Sequence, residues 1–159
     1  MKHTLFETWE KRAEGLPIKT PYEALILASI VEKETAVEDE RARIAGVFTK
    51  RLRKGMRLQT DPTVIYGMGE QYKGNITKAD LRRNTPYNTY TRQGLPPTPI
   101  AMPGRASLEA VMHPDETGDL FFVARGGGRH YFSKTYKEHK KAVIKFLLKG
   151  KSSRYQGDK

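Results

Sequence analysis

The sequence predicts an α+β fold: several short helices and one small antiparallel β-hairpin in a single compact domain. Three observations carry this. Several segments place apolar residues at helical spacing between recognisable start and stop residues. Three glycines, Gly126-Gly127-Gly128, sit between two short β-rich stretches. The length of 159 residues is enough for one domain and short of two.

Taken in order, residues 4–14 predict a short polar helix with Leu5 and Trp9 on one side, broken by Gly15-Leu16-Pro17. Thr20-Pro21-Tyr22-Glu23 is a helix start: Thr20 can cap, Pro21 suits the first helical position, and Glu23 completes a capping box. The helix that follows carries Leu27, Ile30 and Val31 on one stripe and reaches at least Glu34. A second helix is expected over about 40–54, with Ile44, Val47, Phe48 and Leu52 as its stripe and Gly55 as its C-terminal cap. Its basic residues, Arg41, Arg43, Lys50, Arg51 and Arg53, fall mostly off that stripe and read as a solvated face.

Thr60-Asp61-Pro62 opens a short helix through Tyr66, with Asp61 as its cap and Gly67 and Gly69 at its end. Thr77 to Asp80 opens one more turn. Residues 84–104, rich in proline and glycine, predict a long stiff loop of the kind that carries function. A short helix covers Ser107 to Met112 and stops at Pro114. Strands at 120–124 and 129–132 form the hairpin. A last helix spans Ser133 to Leu148, ended by Gly150, and residues 151–159 read as a disordered basic tail.

Lys plus Arg number 29 and Asp plus Glu 18, giving a net charge of +11 that favours polyanionic partners. With no cysteine, disulfides and thiol chemistry are excluded. The longest apolar stretch, Ala24 to Val31, is far below the roughly 20 residues of a membrane span. No signal peptide follows Met1-Lys2-His3, so a soluble chain is expected, or a soluble piece of a longer anchored one. Gly150-Lys151-Ser152 lacks the earlier glycine of a phosphate loop, which is Lys145 here. The four histidines show no paired spacing, which argues against a metal site.

Glu34 stands apart. It lies seven, four and three residues after Leu27, Ile30 and Val31 and so extends their stripe. A carboxyl at the edge of an apolar face is partly desolvated. Its neutral form is favoured, as a general acid near neutral pH requires. Glu32 falls on another side, near Ala28 and Ser29, and reads as solvated.

Four segments then carry a resemblance. They are Ala28-Ser29-Ile30-Val31-Glu32-Lys33-Glu34-Thr35, the run from Arg57 to Gly67 containing Gln59-Thr60-Asp61-Pro62-Thr63, Tyr87-Asn88-Thr89-Tyr90, and Gly94-Leu95-Pro96-Pro97. In this order they resemble the bacterial endolytic murein transglycosylase (YceG-like) family over about Pro21 to Val143. The resemblance implies that residues 21–150 are a catalytic domain, with 1–20 a helical lead-in. The membrane anchor and LysM-like subdomain of full-length members are expected to be missing from this chain. It also implies that Glu34, the second glutamate of its segment, is the catalytic residue.

The implied reaction is lytic cleavage of the N-acetylmuramic acid β-1,4 N-acetylglucosamine bond to a 1,6-anhydromuramoyl end, with one carboxyl as acid and then base. No metal or cofactor is expected. Gln59, Asp61, Asn88 and Tyr90 are the candidate substrate-binding residues, since amide, carboxylate and phenol groups suit sugar hydroxyls and acetamido groups. Asp61 could instead be only a helix cap, Asn88 a brace for the proline-rich loop, and Tyr90 a packing residue. The implied partners are peptidoglycan glycan strands and peptidoglycan synthases (penicillin-binding proteins), at the periplasmic side of the inner membrane, with no specific nucleic acid. The alternative is a non-catalytic domain that binds nucleic acid or glycan as a polyanion.

Overall fold

The computed structural model describes residues 1–148, so the expected tail at 151–159 lies outside the described residues. The chain runs α1 Lys2–Glu10, α2 Pro21–Glu34, α3 Arg41–Lys54, α4 Asp61–Met68, α5 Lys78–Arg82, α6 Arg105–Met112, β1 Phe121–Gly126, β2 Arg129–Ser133 and α7 Tyr136–Phe146. The two strands pair antiparallel, with Phe121 opposite Ser133 and Val123 opposite Tyr131. The α+β expectation is met.

Local chemistry explains most element ends. Thr20 Oγ1 accepts the Glu23 N–H at 3.1 Å. The Glu23 carboxylate, however, accepts from Lys19 N–H at 2.6 Å rather than from Thr20, so the expected capping box is displaced by one residue. The complete box forms at α5, where Thr77 and Asp80 satisfy each other's N–H groups. Gly55, at φ 71°, closes α3 with the left-handed turn that favours glycine.

Some boundaries differ from expectation. Helix α4 is capped at Thr60, and Asp61 is its first residue with no capping bond. Helix α4 also runs through Gly67, because a glycine in mid-helix weakens a helix without ending it. Helix α6 begins at Arg105 behind Gly104. Strand β2 extends to Ser133, and α7 starts after Thr135, whose Oγ1 accepts the Glu138 N–H at 3.2 Å.

Helices α2, α3 and α6 pack on one another around Leu27, Ile30, Ile44, Phe48, Leu108 and Met112, all of them buried. The first twenty residues join the same core through Leu5, Leu16 and Ile18. The hairpin docks through Phe122, edge-on to Phe48 at 5.7 Å, and α7 packs against both strands.

Where α3 passes the segment leading to β1, Asp115 N–H donates to Ala42 O at 2.9 Å. A Cβ on Gly46 would lie 1.9 Å from the Asp115 carbonyl oxygen, so only glycine permits this approach. The segment 84–104 has no helix or strand, and hydrogen bonds rather than secondary structure hold it. Ile100 N–H donates to Ser29 Oγ at 3.0 Å, tying it to α2.

Candidate active site

Glu34 is the last residue of α2. The stripe Leu27, Ile30 and Val31 is buried, and it carries Glu34 to the edge of the core. A helix C-terminus presents unpaired carbonyls and a partial negative charge, which disfavours a carboxylate there. The residue is half-buried and lines a cleft of about 910 Å³ together with Arg51, Gln59, Asp61, Tyr90 and Phe121. Burial pushes the Glu34 carboxyl up to about 7, and the nearby Asp61 carboxylate pushes the same way. A hydrogen bond from Thr60 Oγ1 to Glu34 Oε1 pulls it down.

Thr60 is itself fixed by two buried threonines. Its N–H donates to Thr89 Oγ1 at 3.0 Å, and its carbonyl accepts from Thr63 Oγ1 at 2.8 Å. The Thr63 and Thr89 hydroxyls share a further bond at 2.9 Å. The segment before α4 is thereby locked to the segment before Tyr90, and both face Glu34.

The predicted site residues divide. Gln59 is exposed on the cleft wall at φ 51°, the one non-glycine residue with positive φ among the described residues. Such a conformation costs of order 1 kcal/mol outside glycine and gathers at functional sites. Asp61 also borders the cleft, and Tyr90 OH donates to its Oδ1 at 2.5 Å. Burial and the Asp61 carboxylate push the Tyr90 phenol well above its ordinary range, so it remains a donor.

Asn88 sits elsewhere. It is 1% exposed. Its Nδ2 donates to Leu81 O and Arg83 O, at 2.9 and 2.7 Å, and its Oδ1 accepts from Tyr90 N–H at 2.8 Å. The side chain braces the proline-rich segment and sets the position of Tyr90 rather than opening to the cleft.

Two expectations from the sequence need correction. Glu32 is not simply solvated: it is half-buried and accepts from Gly104 N–H and Ser107 Oγ–H, both at 2.9 Å, at the start of α6. The Gly104 bond is the chief reason its carboxyl is held below the usual range. Arg51 is not on the solvated face of α3 either. It is 6% exposed and lines the cleft. It follows Ile44, Val47 and Phe48 by seven, four and three residues, the spacing that marked Glu34, and that spacing was its signal. Thr60 belongs to a helix start and to a segment that carries the resemblance, and neither marks it as a partner of Glu34.

The remaining basic residues of α3 are partly neutralised. Arg43 pairs with Asp119 at 2.8 Å and Arg53 with Glu116 at 2.6 Å. Among the described residues no three His, Asp or Glu side chains converge in a way suited to a metal ion, and no helix is long and apolar enough to cross a membrane.

Comparison with known proteins gives a consistent answer. The profile of the YceG-like family matches residues 1–145. The chain is 46% identical over 126 residues to an endolytic murein transglycosylase of Bacillus subtilis (strain 168), covering 79% of this chain and 35% of that protein. It is 35% identical over 134 residues to the endolytic murein transglycosylase of Streptococcus pneumoniae serotype 2, covering 80% of this chain and 24% of that one. A crystal structure of a YceG-like protein from Listeria monocytogenes superimposes with a TM-score of 0.74 at 42% identity, covering 89% of this chain and 43% of that one. This chain thus spans from about a quarter to less than half of the length of these relatives. With a matching profile over nearly all described residues and close relatives that agree, the chain belongs to the YceG-like family.

Proposed function

We propose that this chain is the catalytic part of an endolytic peptidoglycan lytic transglycosylase. It cleaves the β-1,4 bond between N-acetylmuramic acid and N-acetylglucosamine and leaves a 1,6-anhydromuramoyl end. One observation carries the reading: Glu34, on the wall of an open cleft, has its carboxyl raised to about 7. Near neutral pH such a group serves equally as acid and as base. The names of the Bacillus and Streptococcus relatives support the same reaction.

Protonated Glu34 donates to the glycosidic oxygen as the bond to the muramoyl C1 breaks. The N-acetyl group of the sugar shields the oxocarbenium carbon. Glu34, now a carboxylate, takes the proton of the muramoyl C6 hydroxyl while O6 closes onto C1. Glu34 is protonated again at the end, and no water is consumed. Asp61 holds negative charge near the developing cation, and Tyr90 keeps that carboxylate in place. Gln59 offers an unpaired amide to a sugar substituent. Thr60 sets the orientation and acidity of Glu34.

The shared cleft favours one competing reading. Two carboxyl groups, Glu34 and Asp61, are the usual equipment of a hydrolase, with Asp61 activating water or attacking C1. Digestion of peptidoglycan in oxygen-18 water separates the two. The proposed reaction gives 1,6-anhydromuramoyl ends without label. Reducing muramoyl ends carrying oxygen-18 would establish the hydrolase.

In the cell, the reading places the enzyme on nascent strands beside peptidoglycan synthases, at the periplasmic face of the inner membrane. Cleavage there ends strand growth. A polyanion-binding role has less to rest on, because Arg43 and Arg53 are engaged in ion pairs.

A further inference from the structure

Buried cations are ordinarily paired with a carboxylate, because desolvating an isolated charge is costly. Arg51 has no such partner. Its Nε donates to Leu120 O at 2.7 Å, and its Nη1 donates to Arg57 O at 3.0 Å and Leu58 O at 3.2 Å. Its guanidinium lies 5.0 Å from the Phe121 ring centroid. All these partners are neutral. Among the described residues no carboxylate pairs with it, and its three hydrogen bonds come from Nε and Nη1, not Nη2.

The guanidinium borders the same cleft as Glu34 and Asp61 but pairs with neither. Asp61 is taken by Tyr90, and Glu34 by Thr60. His139, which also lines the cleft, stacks on Phe121 at 5.0 Å. Burial, with Arg51 close by, holds its imidazole below the ordinary range, so it adds no charge near neutral pH. The cleft therefore holds two carboxyl groups and one buried cation, Arg51, with Tyr90 close to all three; the other lysine or arginine of its lining, Lys78, is exposed.

We propose that Arg51 is an anion-recognition residue that binds a carboxylate carried on the muramoyl side arm of the glycan strand, in the cleft that Glu34 also lines. The proposal rests on the transglycosylase reading, which supplies a strand bearing such groups. Two sources present the same chemistry: the free lactyl carboxyl of a denuded strand, or a carboxylate of the stem peptide. The three backbone carbonyls orient the guanidinium plane before substrate arrives, so little ordering remains to be done on binding. With Nε and Nη1 engaged by carbonyls, Nη2 is the nitrogen left to donate, and a charge-assisted bond from it to a carboxylate in a largely desolvated wall is strong.

The experiment compares three strands of equal length with the wild-type protein, Arg51→Lys and Arg51→Gln, scoring new 1,6-anhydro ends. One strand carries stem peptides, the second is denuded with a free lactyl carboxyl, and the third is denuded with that carboxyl amidated. For the wild-type protein, kcat/KM on the amidated strand is expected to be about tenfold or more below that on a carboxylate-bearing strand, through KM. The strand that retains the advantage identifies the source. Arg51→Gln removes the preference, and Arg51→Lys keeps part of it.

Equal kcat/KM on all three strands for the wild-type protein overturns the proposal, whatever the variants do. An equal fall on all three in Arg51→Gln also overturns it, leaving Arg51 as a staple between residues 57–58 and Leu120. If no strand yields anhydro ends, the transglycosylase reading falls as well. Cleavage without preference removes only the role of Arg51.

Discussion

Thr60 Oγ1 donates a hydrogen bond to the Glu34 carboxyl, and Thr60 is closed off from solvent by the Thr63 and Thr89 hydroxyls behind it. This bond opposes the burial that raises Glu34. It keeps the group in the range where it can both give and take a proton.

Thr60→Val retains the shape of the side chain and removes the donor. Glu34 then titrates above about 7, because the one interaction that lowers it is gone. The alkaline limb of the pH–rate profile is expected to move to higher pH. A profile that overlays the wild-type profile would show that the bond does not tune the acid.

Glu34 also gives stability a pH dependence of definite sign. Its folded-state pKa of about 7 lies above the ordinary 4.5. The folded protein therefore holds a proton that the unfolded chain has lost across that interval. Stability falls as pH rises from about 4.5 through 7, by up to about 3 kcal/mol, and is level beyond. Glu34→Gln removes this slope and is more stable than wild type at pH 8. Denaturant unfolding at pH 5 and pH 8 checks both statements. Parallel slopes in the two proteins would contradict them.

Gln59→Gly separates strain from function. Glycine adopts φ 51° freely, so the variant is expected to match or exceed wild-type stability, by up to about 1 kcal/mol. Activity is expected to drop, because the amide on the cleft wall is lost. Melting temperature and cleavage rate, measured together, give the answer. Full activity would make the left-handed turn a structural accident.

Much of this site could be read in the sequence because the helical period carries it. Leu27, Ile30 and Val31 aim Glu34 into the cleft, and the structure keeps that direction. Ile44, Val47 and Phe48 aim Arg51 in the same way, but a basic residue among other basic residues reads as solvated. Thr60, Thr63 and Thr89 were harder to see. Their convergence joins residues far apart in sequence through a segment without secondary structure, where no period operates. Glu32 failed for a similar reason: its partners at Gly104 and Ser107 belong to a distant helix start. Helix ends were legible wherever the cap is local, as at Thr20, Gly55 and Thr77, and shifted where neighbouring residues compete for the role.

Gly46→Ala tests the packing that leads the chain into β1. The added methyl would meet the Asp115 carbonyl oxygen, which is backbone and cannot swing aside. A loss of about 1–3 kcal/mol is expected, the usual range for overpacking, despite the better helix propensity of alanine. Thermal unfolding measures it. A neutral or stabilising effect would mean that the 115–119 segment is free to move.

The most direct test of the whole account compares strand cleavage by Glu34→Gln and Glu32→Gln with that by the wild-type protein. Glutamine at position 34 can still accept from Thr60 but cannot donate and then recover the transferred proton. Cleavage is expected to fall by about 10²–10⁴-fold with the melting temperature at pH 8 no lower than wild type. Glutamine at position 32 disturbs the start of α6, costs about 1 kcal/mol of stability, and leaves most of the activity. Full cleavage by Glu34→Gln, or equal losses in the two variants, would contradict Glu34 as the acid and base of the reaction.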